Sequence, residues 1–225
     1  MSRIIFITGT DTGVGKTLLT GLLLQHLRQS GCHALAMKPF CAGSRADTEF
    51  LRAAQNCDLT MAEITPFHFA EPLAPLVAAR KHHRTIRLPE VLRTIKRVAS
   101  RCECLLVEGI GGLLVPLGAG YTVRDLIAKL GCEVIVVSSH RLGTINHTLL
   151  TVGVLQHLNL QALKVVMMTA GGAEYSTGSN LRTLVEMLAP TRVLPVKYLG
   201  QNALDFEALK ENAKKVKETL ARILG

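Results

Sequence analysis

A glycine-rich segment near the start of the chain has the residue types that bind a nucleotide phosphate. Gly9, Gly13 and Gly15 allow tight turns and let backbone N–H groups approach phosphate oxygens. Lys16 would place a positive charge beside the β and γ phosphates, and the Thr17 hydroxyl could ligate Mg²⁺. The segment therefore predicts a site for a nucleoside triphosphate.

The spacing in this segment differs from the general phosphate-binding loop, which has four residues between its first glycine and Gly-Lys-Thr. Here five residues lie between Gly9 and Gly15, and Thr10 stands where that motif has glycine. The alternative is a glycine-rich turn that only happens to contain a lysine. The apolar run 4–7 before it and the leucine-rich run 18–27 after it predict a strand and a helix, which favours phosphate binding.

Two charged side chains come directly after apolar runs that predict strands. Glu108 follows residues 104–107 and precedes a glycine-rich turn, so its carboxylate could hold nucleotide-bound Mg²⁺, directly or through water. The alternative for Glu108 is a solvent-facing carboxylate in an ordinary turn. Lys38 follows residues 34–37, where it could neutralise charge on a transferring phosphoryl group.

Asp47 and the start of a later helix each leave two interpretations open. Asp47 begins a predicted helix, where it could be the N-cap or a second carboxylate near Mg²⁺. Gly143 and Thr144 would begin another helix, whose N-terminus could bind a carboxylate. The alternative there is a helix capped by Thr144, with Asn146 facing solvent.

Apolar runs and helical patterns alternate along the chain, which predicts a parallel sheet covered by helices. The predicted strands are residues 4–7, 34–37, 104–107, 134–137, 162–168 and 193–196. The predicted helices are residues 16–28, 47–56, 89–101, 123–130, 144–157, 180–188 and 206–224. No repeat or linker interrupts this order. We expect an α/β, P-loop NTPase-like fold with a mostly parallel central sheet, helices on both faces, and a single domain over residues 1–225.

The composition narrows the classes of partner. The 225 residues are 48% hydrophobic and carry a net charge of +9, but the basic stretch 80–84 lacks interleaved aromatic residues. We therefore expect a solvated loop there and no nucleic-acid surface. No run approaches the roughly 18 apolar residues of a membrane span, and no secretory signal is recognisable. Six cysteines without C-x-x-C spacing predict reduced, mostly buried thiols in a cytoplasmic protein.

Several motifs together resemble the dethiobiotin synthetase family. They are Gly-Thr-Asp-Thr-Gly-Val-Gly-Lys-Thr (9–17), Lys38-Pro39, Phe69-Ala70-Glu71-Pro72 with Pro75, Val107-Glu108-Gly109-Ile110-Gly111-Gly112, and Leu142-Gly143-Thr144-Ile145-Asn146-His147. The match follows the family's order over most of the chain, and the longer phosphate loop is what the family has. The resemblance implies a homodimer that uses MgATP and CO₂ to convert 7,8-diaminononanoate to dethiobiotin in biotin biosynthesis. In that family one amine takes up CO₂ as a carbamate, ATP phosphorylates the carbamate, and the other amine closes the ring.

The resemblance also implies a role for each matched residue. The residues implied to hold Mg²⁺ are Thr17, Asp47 and Glu108. Those implied to stabilise charge on the carbamate and the γ-phosphoryl group are Thr12, Lys16 and Lys38. The nucleotide would contact Gly13, Val14, Gly15, Lys16, Thr17, Leu18, Asp47, Glu108, Gly109, Ile110, Gly111, Thr169, Pro195, Val196 and Lys197. The diamine would contact Lys38, Ala42, Gly143, Thr144 and Asn146, and its carboxylate would bind near residues 143–146 across the dimer interface.

Two positions depart from the family pattern. Ala42 stands where many members carry a serine that helps hold substrate, and Ser44 could replace that serine only if the loop is rearranged. Thr169 stands where the family usually supplies an asparagine to the adenine, and a hydroxyl cannot make a two-point amide contact. The preference for ATP over other triphosphates is therefore open, and we expect the base to rest mainly on residues 195–197.

Partition and cell-division ATPases of the same broad fold are the main alternative. They carry a lysine early in the phosphate loop that reaches across their dimer, whereas Asp11 stands at that position here. They also commonly have a membrane-targeting or DNA-binding segment, and the closing stretch 206–224 is too polar on most faces for membrane burial. A corrin-ring amidating enzyme is a third alternative, but 225 residues leave no room for its glutaminase part.

Overall fold

Short β-strands lead into most of the loops that are expected to form a site. The structure, a computed structural model, describes residues 2–158, 160–169, 171 and 177–225. The strands of this part are β1 (Arg3–Gly9), β2 (Ala34–Met37), β3 (Phe40–Ala42), β4 (Phe67–Phe69), β5 (Cys104–Glu108), β6 (Pro116–Gly118), β7 (Tyr121–Thr122), β8 (Glu133–Ser139), β9 (Ala162–Met168) and β10 (Arg192–Val196). Six of them form a parallel sheet in the order β10-β9-β8-β1-β5-β2. Strands β3 and β4 form a small parallel sheet, and β6 and β7 an antiparallel hairpin.

Helices connect these strands and cover the sheet. Those of the described part are α1 (Lys16–Gln29), α2 (Ala46–Ala54), α3 (Met61–Ile64), α4 (Pro75–Lys81), α5 (Leu88–Ala99), α6 (Val123–Leu130), α7 (Thr144–Gln156), α8 (Thr177–Leu188), α9 (Phe206–Lys215) and α10 (Lys217–Leu224). Not one of these described helices is both long enough and apolar enough to cross a bilayer.

The central strands are apolar along their whole length because helices cover both faces of the sheet. Ile5, Phe6 and Ile7 follow one another in β1, so their side chains point alternately to opposite faces, and all three are buried. Helix α1 contributes a leucine-rich face, including Leu19 and Leu23, to the same core. The predicted α/β fold with a parallel central sheet is confirmed.

The structure corrects one predicted element and adds a strand pairing that was not predicted. The closing stretch is two helices, because Val216 leaves the helical conformation (φ −114°, ψ 19°) between α9 and α10. This bend lets α9 pack on α1 while α10 contacts both α1 and β10. The added pairing joins Phe40–Ala42 to Phe67–Phe69, and the Phe40 and Phe67 rings stack at 4.9 Å.

All the predicted site loops lie at one edge of the sheet. In a parallel sheet the carboxyl ends of the strands meet at the same edge, and ligands bind in the crevice beyond it. The phosphate loop follows β1, Lys38 follows β2, and Glu108 ends β5. Thr169 follows β9 and Lys197 follows β10. The sheet order therefore brings residues from distant parts of the sequence together.

Candidate active site

The phosphate loop wraps the N-terminus of α1. Gly15 caps this helix in the left-handed conformation (φ 98°), and Gly13 also has a positive φ of 72°. A side chain at Gly15 would also come within 3.0 Å of Met168 Cγ, so only glycine fits there. The free N–H groups and the positive end of the 14-residue helix α1 favour an anion in front of the loop.

Lys38 lies between two carboxylates at the floor of the crevice. Its Nζ donates to Glu108 Oε1 at 2.8 Å and also to Asp47 Oδ2. Glu108 Oε1 accepts a second hydrogen bond, from Thr17 Oγ1 at 2.8 Å. Glu108 and Lys38 are both buried, and none of the described residues donates a hydrogen bond to Glu108 Oε2. A buried carboxylate oxygen without a donor is ready to accept a cation or a water.

Asp47 reaches this cluster from the first turn of α2. Arg45 is the N-cap of that helix, so the interpretation of Asp47 as an N-cap is wrong. Its carboxylate instead pairs with Lys38. The start of α7 gives a similar correction, because Gly143, not Thr144, is the N-cap there. Asn146 is exposed, as the solvent-facing alternative expected.

The two lysines of the site differ in their electrostatic surroundings. Burial lowers the pKa of Lys16 to about 8, although the nearby Glu108 carboxylate acts in the opposite direction. Lys16 Nζ donates to the backbone oxygen of Asp11 at 2.8 Å. Burial acts on Lys38 in the same way, but Glu108 and Asp47 outweigh it and hold the Lys38 pKa above its ordinary value. The two carboxylates therefore favour the charged form of Lys38, whereas burial disfavours the charged form of Lys16.

A cavity of about 720 Å³ lies over this cluster, within the range of ligand pockets. Its polar floor combines Lys16, Thr17, Lys38, Asp47 and Glu108. Its walls are mostly apolar and come from five separate parts of the chain. The wall residues are Leu18, Cys41, Ala42, Pro72, Leu73, Ala74, Pro75, Ile110, Val115, Ala203 and Leu204.

Comparison with known proteins assigns the chain to a family. A family model described as an AAA domain matches residues 3–201. The ATP-dependent dethiobiotin synthetase BioD of Anaeromyxobacter sp. (strain K) is 44% identical over 173 residues, which cover 75% of this chain and 78% of the relative. The protein of the same name from Akkermansia muciniphila is 34% identical over 209 residues, which cover 93% of this chain and 98% of the relative. The chain belongs to the dethiobiotin synthetase family.

Solved structures support the fold of this dethiobiotin synthetase family member. The septum site-determining protein MinD of Pyrococcus horikoshii, complexed with Mg-ADP, aligns with a TM-score of 0.55. The alignment covers 100% of this chain and 99% of that protein at 17% sequence identity. At that identity the likeness shows the fold alone, and the sequence relatives carry the family assignment.

Most of the residues that the dethiobiotin synthetase resemblance implied line this one cavity. They are Thr12, Gly13, Gly15, Lys16, Thr17, Leu18, Lys38, Ala42, Asp47, Glu108, Ile110 and Gly111. Val14 is buried behind the loop against Gly9, and Gly109 packs against Phe6. Gly143, Thr144 and Asn146 lie apart from the cavity, at the start of α7.

The residues implied to hold the base line a second cavity of about 640 Å³. Thr169, Pro195 and Lys197 face this space, and the Thr169 N–H donates to the Val196 backbone oxygen at 3.0 Å. The Val196 side chain is buried in the core, so only its backbone could face a nucleotide.

Sequence reasoning missed part of the cavity wall. Ser44 also lines the cavity, and its Oγ accepts the Ala46 N–H at 3.1 Å. Leu73 and Leu204 line it from segments that follow β4 and β10. The motif containing Pro72 and Pro75 was the available signal for the first segment. The second segment has no comparable signal, because apolar loop residues have no periodic pattern.

Proposed function

We propose that the protein is an ATP-dependent dethiobiotin synthetase, which joins 7,8-diaminononanoate and CO₂ in biotin biosynthesis. The observation that carries this proposal is the cluster of Lys38, Glu108, Asp47 and Thr17 beside the phosphate loop, in a chain of this family. In the reaction one amine takes up CO₂ as a carbamate, and a carbamate oxygen then attacks the γ-phosphorus of ATP, so that ADP leaves. The second amine attacks the carbonyl carbon, closes the cyclic urea and displaces phosphate.

The chain's own groups would act by positioning and charge neutralisation. We propose that the loop amides between Gly13 and Leu18 bind the triphosphate, with Lys16 beside its terminal phosphates. Lys38 and Thr12 would stabilise the negative charge of the carbamate and of the phosphoryl group in transfer. Thr12 lines the same cavity as Lys38, which supports a shared role. No covalent nucleophile is needed for this sequence of steps.

The same cluster fits Mg²⁺. Thr17, Asp47 and Glu108 offer oxygen ligands, which this ion prefers, and the second carboxylate oxygen of Glu108 is buried without a donor among the described residues. The described residues contain no group of three or more His, Cys, Asp or Glu side chains that could hold a metal alone. A site with few protein ligands suits Mg²⁺, which usually completes its shell with phosphate oxygens and water. When bound, Mg²⁺ would neutralise charge on the β and γ phosphates.

We propose that the base occupies the second cavity, beside Thr169, Pro195 and Lys197. Thr169 can offer one hydroxyl, and its N–H is already engaged by Val196. A contact this limited discriminates weakly between bases, so CTP and GTP should also support turnover.

We propose a homodimer formed through α7. This helix has no charged residue in its sequence, and Leu150 on its outer face is 63% exposed. Leu142, which precedes the helix, is 96% exposed. An uncharged, apolar helix face of this kind is typical of an interface. We propose that a second copy packed on this face places the α7 N-terminus, with Gly143 and Asn146, beside the partner's cavity. The helix N-terminus would bind the substrate carboxylate there.

Replacing Leu150 by arginine is expected to convert the dimer to monomers and to lower activity with diaminononanoate, because it places a charge in the apolar interface. Analytical ultracentrifugation gives the oligomeric state, and Tm gives the stability. The matched control is Met187→Arg on α8, which is also exposed but lies outside α7. A Leu150→Arg protein that stays dimeric would show that the interface lies elsewhere.

The affinity for ADP is expected to fall as pH rises through about 8, because the free protein loses the Lys16 charge there. Well above pH 8 the Kd should rise about tenfold per pH unit, as one titrating group requires. The charged groups that act on Lys16 are Glu108, Lys38, Asp47 and Asp11. Calorimetric titrations between pH 7.5 and 10, where the phosphates are fully ionised, test this. Lys16→Met should bind weakly at every pH, and a flat profile for the unaltered protein would contradict the assignment.

A coupled assay tests the proposed function directly. ADP release should require diaminononanoate and bicarbonate together and should match dethiobiotin formation, measured by mass spectrometry. The assay should be repeated with CTP and GTP. ATP turnover that ignored the diamine and responded to DNA or lipid vesicles would instead identify a nucleotide switch.

A further inference from the structure

Asp11 makes three contacts within and beside the phosphate loop. Its Oδ1 accepts the Thr12 N–H at 2.7 Å, and its backbone oxygen accepts Lys16 Nζ at 2.8 Å. Its Oδ2 accepts Arg141 Nη2 at 2.6 Å, across 130 residues of sequence. The Thr12 N–H and Arg141 keep the Asp11 pKa below its usual range, so the carboxylate is charged at neutral pH. One residue therefore contacts two groups of the phosphate loop and one cation outside it.

Arg141 belongs to the turn that starts α7. Its N–H donates to the Ser139 oxygen at 2.9 Å, and its own backbone oxygen accepts the Thr144 N–H at 3.1 Å. Strands β1 and β8 are neighbours, so the loops that follow them lie side by side. The Asp11–Arg141 ion pair is thus a direct side-chain link between the phosphate loop and the N-terminus of α7.

The exposure of this pair argues against a purely stabilising role. The side chains are 52% and 44% exposed, and ion pairs at this exposure usually contribute little to folding. The same ion pair lies beside the phosphate loop, where small displacements of the binding groups would change how a phosphate is bound. Correct placement of phosphate-binding groups affects binding and rate far more than overall stability.

We propose that Asp11 and Arg141 are positioning residues that hold the phosphate loop against the start of α7. The pair fixes Asp11, whose Oδ1 and backbone oxygen hold the Thr12 N–H and Lys16 Nζ, and Arg141 offsets the Asp11 charge, which would otherwise repel a triphosphate. The link also joins the phosphate loop to the helix N-terminus that is proposed to bind the substrate carboxylate across the dimer interface. This inference rests on the proposed function for its substrates, but its effect on ADP binding does not depend on turnover.

A double-mutant cycle with Asp11→Asn and Arg141→Met tests the pair. Asparagine keeps an oxygen for the Thr12 N–H and the same backbone oxygen for Lys16, so it removes only the charge. Each single variant is expected to weaken ADP binding about tenfold and to raise KM for ATP similarly, with kcat changed less. The double variant should be no weaker than Arg141→Met alone, and Arg141→Lys should retain most of the affinity.

The control is Arg101→Met, which removes a comparably exposed ion pair with Glu63 and should leave ADP binding unchanged. Unchanged ADP affinity in Arg141→Met would overturn the proposal. So would a double variant about a hundredfold weaker than the unaltered protein, or a loss of Tm that accounts for the loss of binding. If the unaltered protein binds ADP but does not use the diamine, the proposed function falls, and the ADP measurements still decide the role of the pair.

Discussion

Replacing Lys38 by methionine is expected to lower kcat about a thousandfold while leaving the affinity for ATP nearly unchanged. Lys38 is a buried cation between Glu108 and Asp47, and its raised pKa keeps it charged across the working pH range. In the proposed mechanism it supplies a fixed positive charge where the phosphoryl group is transferred. Lys16 and the loop amides are expected to bind the triphosphate in this variant as well. Steady-state kinetics with saturating diaminononanoate and bicarbonate measures the change.

The controls for Lys38 must separate catalysis from folding. Methionine leaves the buried Glu108 carboxylate without its cation, which should lower the free energy of unfolding by about 3 kcal/mol. Lys38→Arg keeps the charge and should be more stable than the methionine variant. Its kcat should still fall at least about tenfold, because the planar guanidinium places its N–H groups at positions different from that of the lysine Nζ. Lys129→Met on α6 is an exposed lysine control. A folded, ADP-binding Lys38 variant with near-normal kcat would remove Lys38 from the catalytic residues.

The elements that local patterns specify were predictable from the sequence. The structure confirms the predicted bounds of β2 (34–37), β9 (162–168) and α6 (123–130). Each has its own signal: a continuous apolar run for a doubly covered strand, or an amphipathic helical period. The phosphate loop was predictable for the same reason, because Gly13 and Gly15 must adopt positive φ within a few residues of each other.

Contacts between distant segments were not predictable from local patterns. Lys38 and Glu108 are 70 residues apart, and only the pairing of β2 with β5 brings them within 2.8 Å. From the sequence alone Asp47 could be a helix N-cap, whereas in the structure its carboxylate forms an ion pair with Lys38. The pair of Asp11 with Arg141 depends in the same way on the neighbouring strands β1 and β8.

Short elements were missed because they carry too few residues for a period. Strand β3 has three residues and strand β4 has three, so neither shows an alternation that sequence can reveal. Their pairing nevertheless holds Cys41 and Ala42 in the cavity wall. The shape of the wall is therefore a property of tertiary packing, whereas the identity of the phosphate-binding groups is local.

Replacing Glu108 by glutamine is expected to lower the apparent affinity for Mg²⁺ in the ATP complex by about a hundredfold and to reduce kcat/KM at least as much. Glu108 Oε1 already accepts hydrogen bonds from Thr17 and Lys38, so Oε2, to which no described residue donates, is the atom left for a cation or its bound water. Glutamine has nearly the same shape but no charge, and its amide nitrogen cannot serve as a ligand. Activity at fixed ATP, followed across a wide range of Mg²⁺ concentrations, gives both effects.

The Glu108 prediction separates a metal role from a merely structural one. Raising Mg²⁺ should restore part of the activity of Glu108→Gln if the carboxylate holds the ion, but not if it only orients Lys38. Glu49→Gln is the matched control, because Glu49 shares helix α2 with Asp47 and is exposed. ADP binding without Mg²⁺ should be nearly unaffected by Glu108→Gln, since the phosphate loop is intact. An unchanged Mg²⁺ dependence in a folded variant would assign the ion to other ligands and leave Glu108 as the partner that positions Lys38.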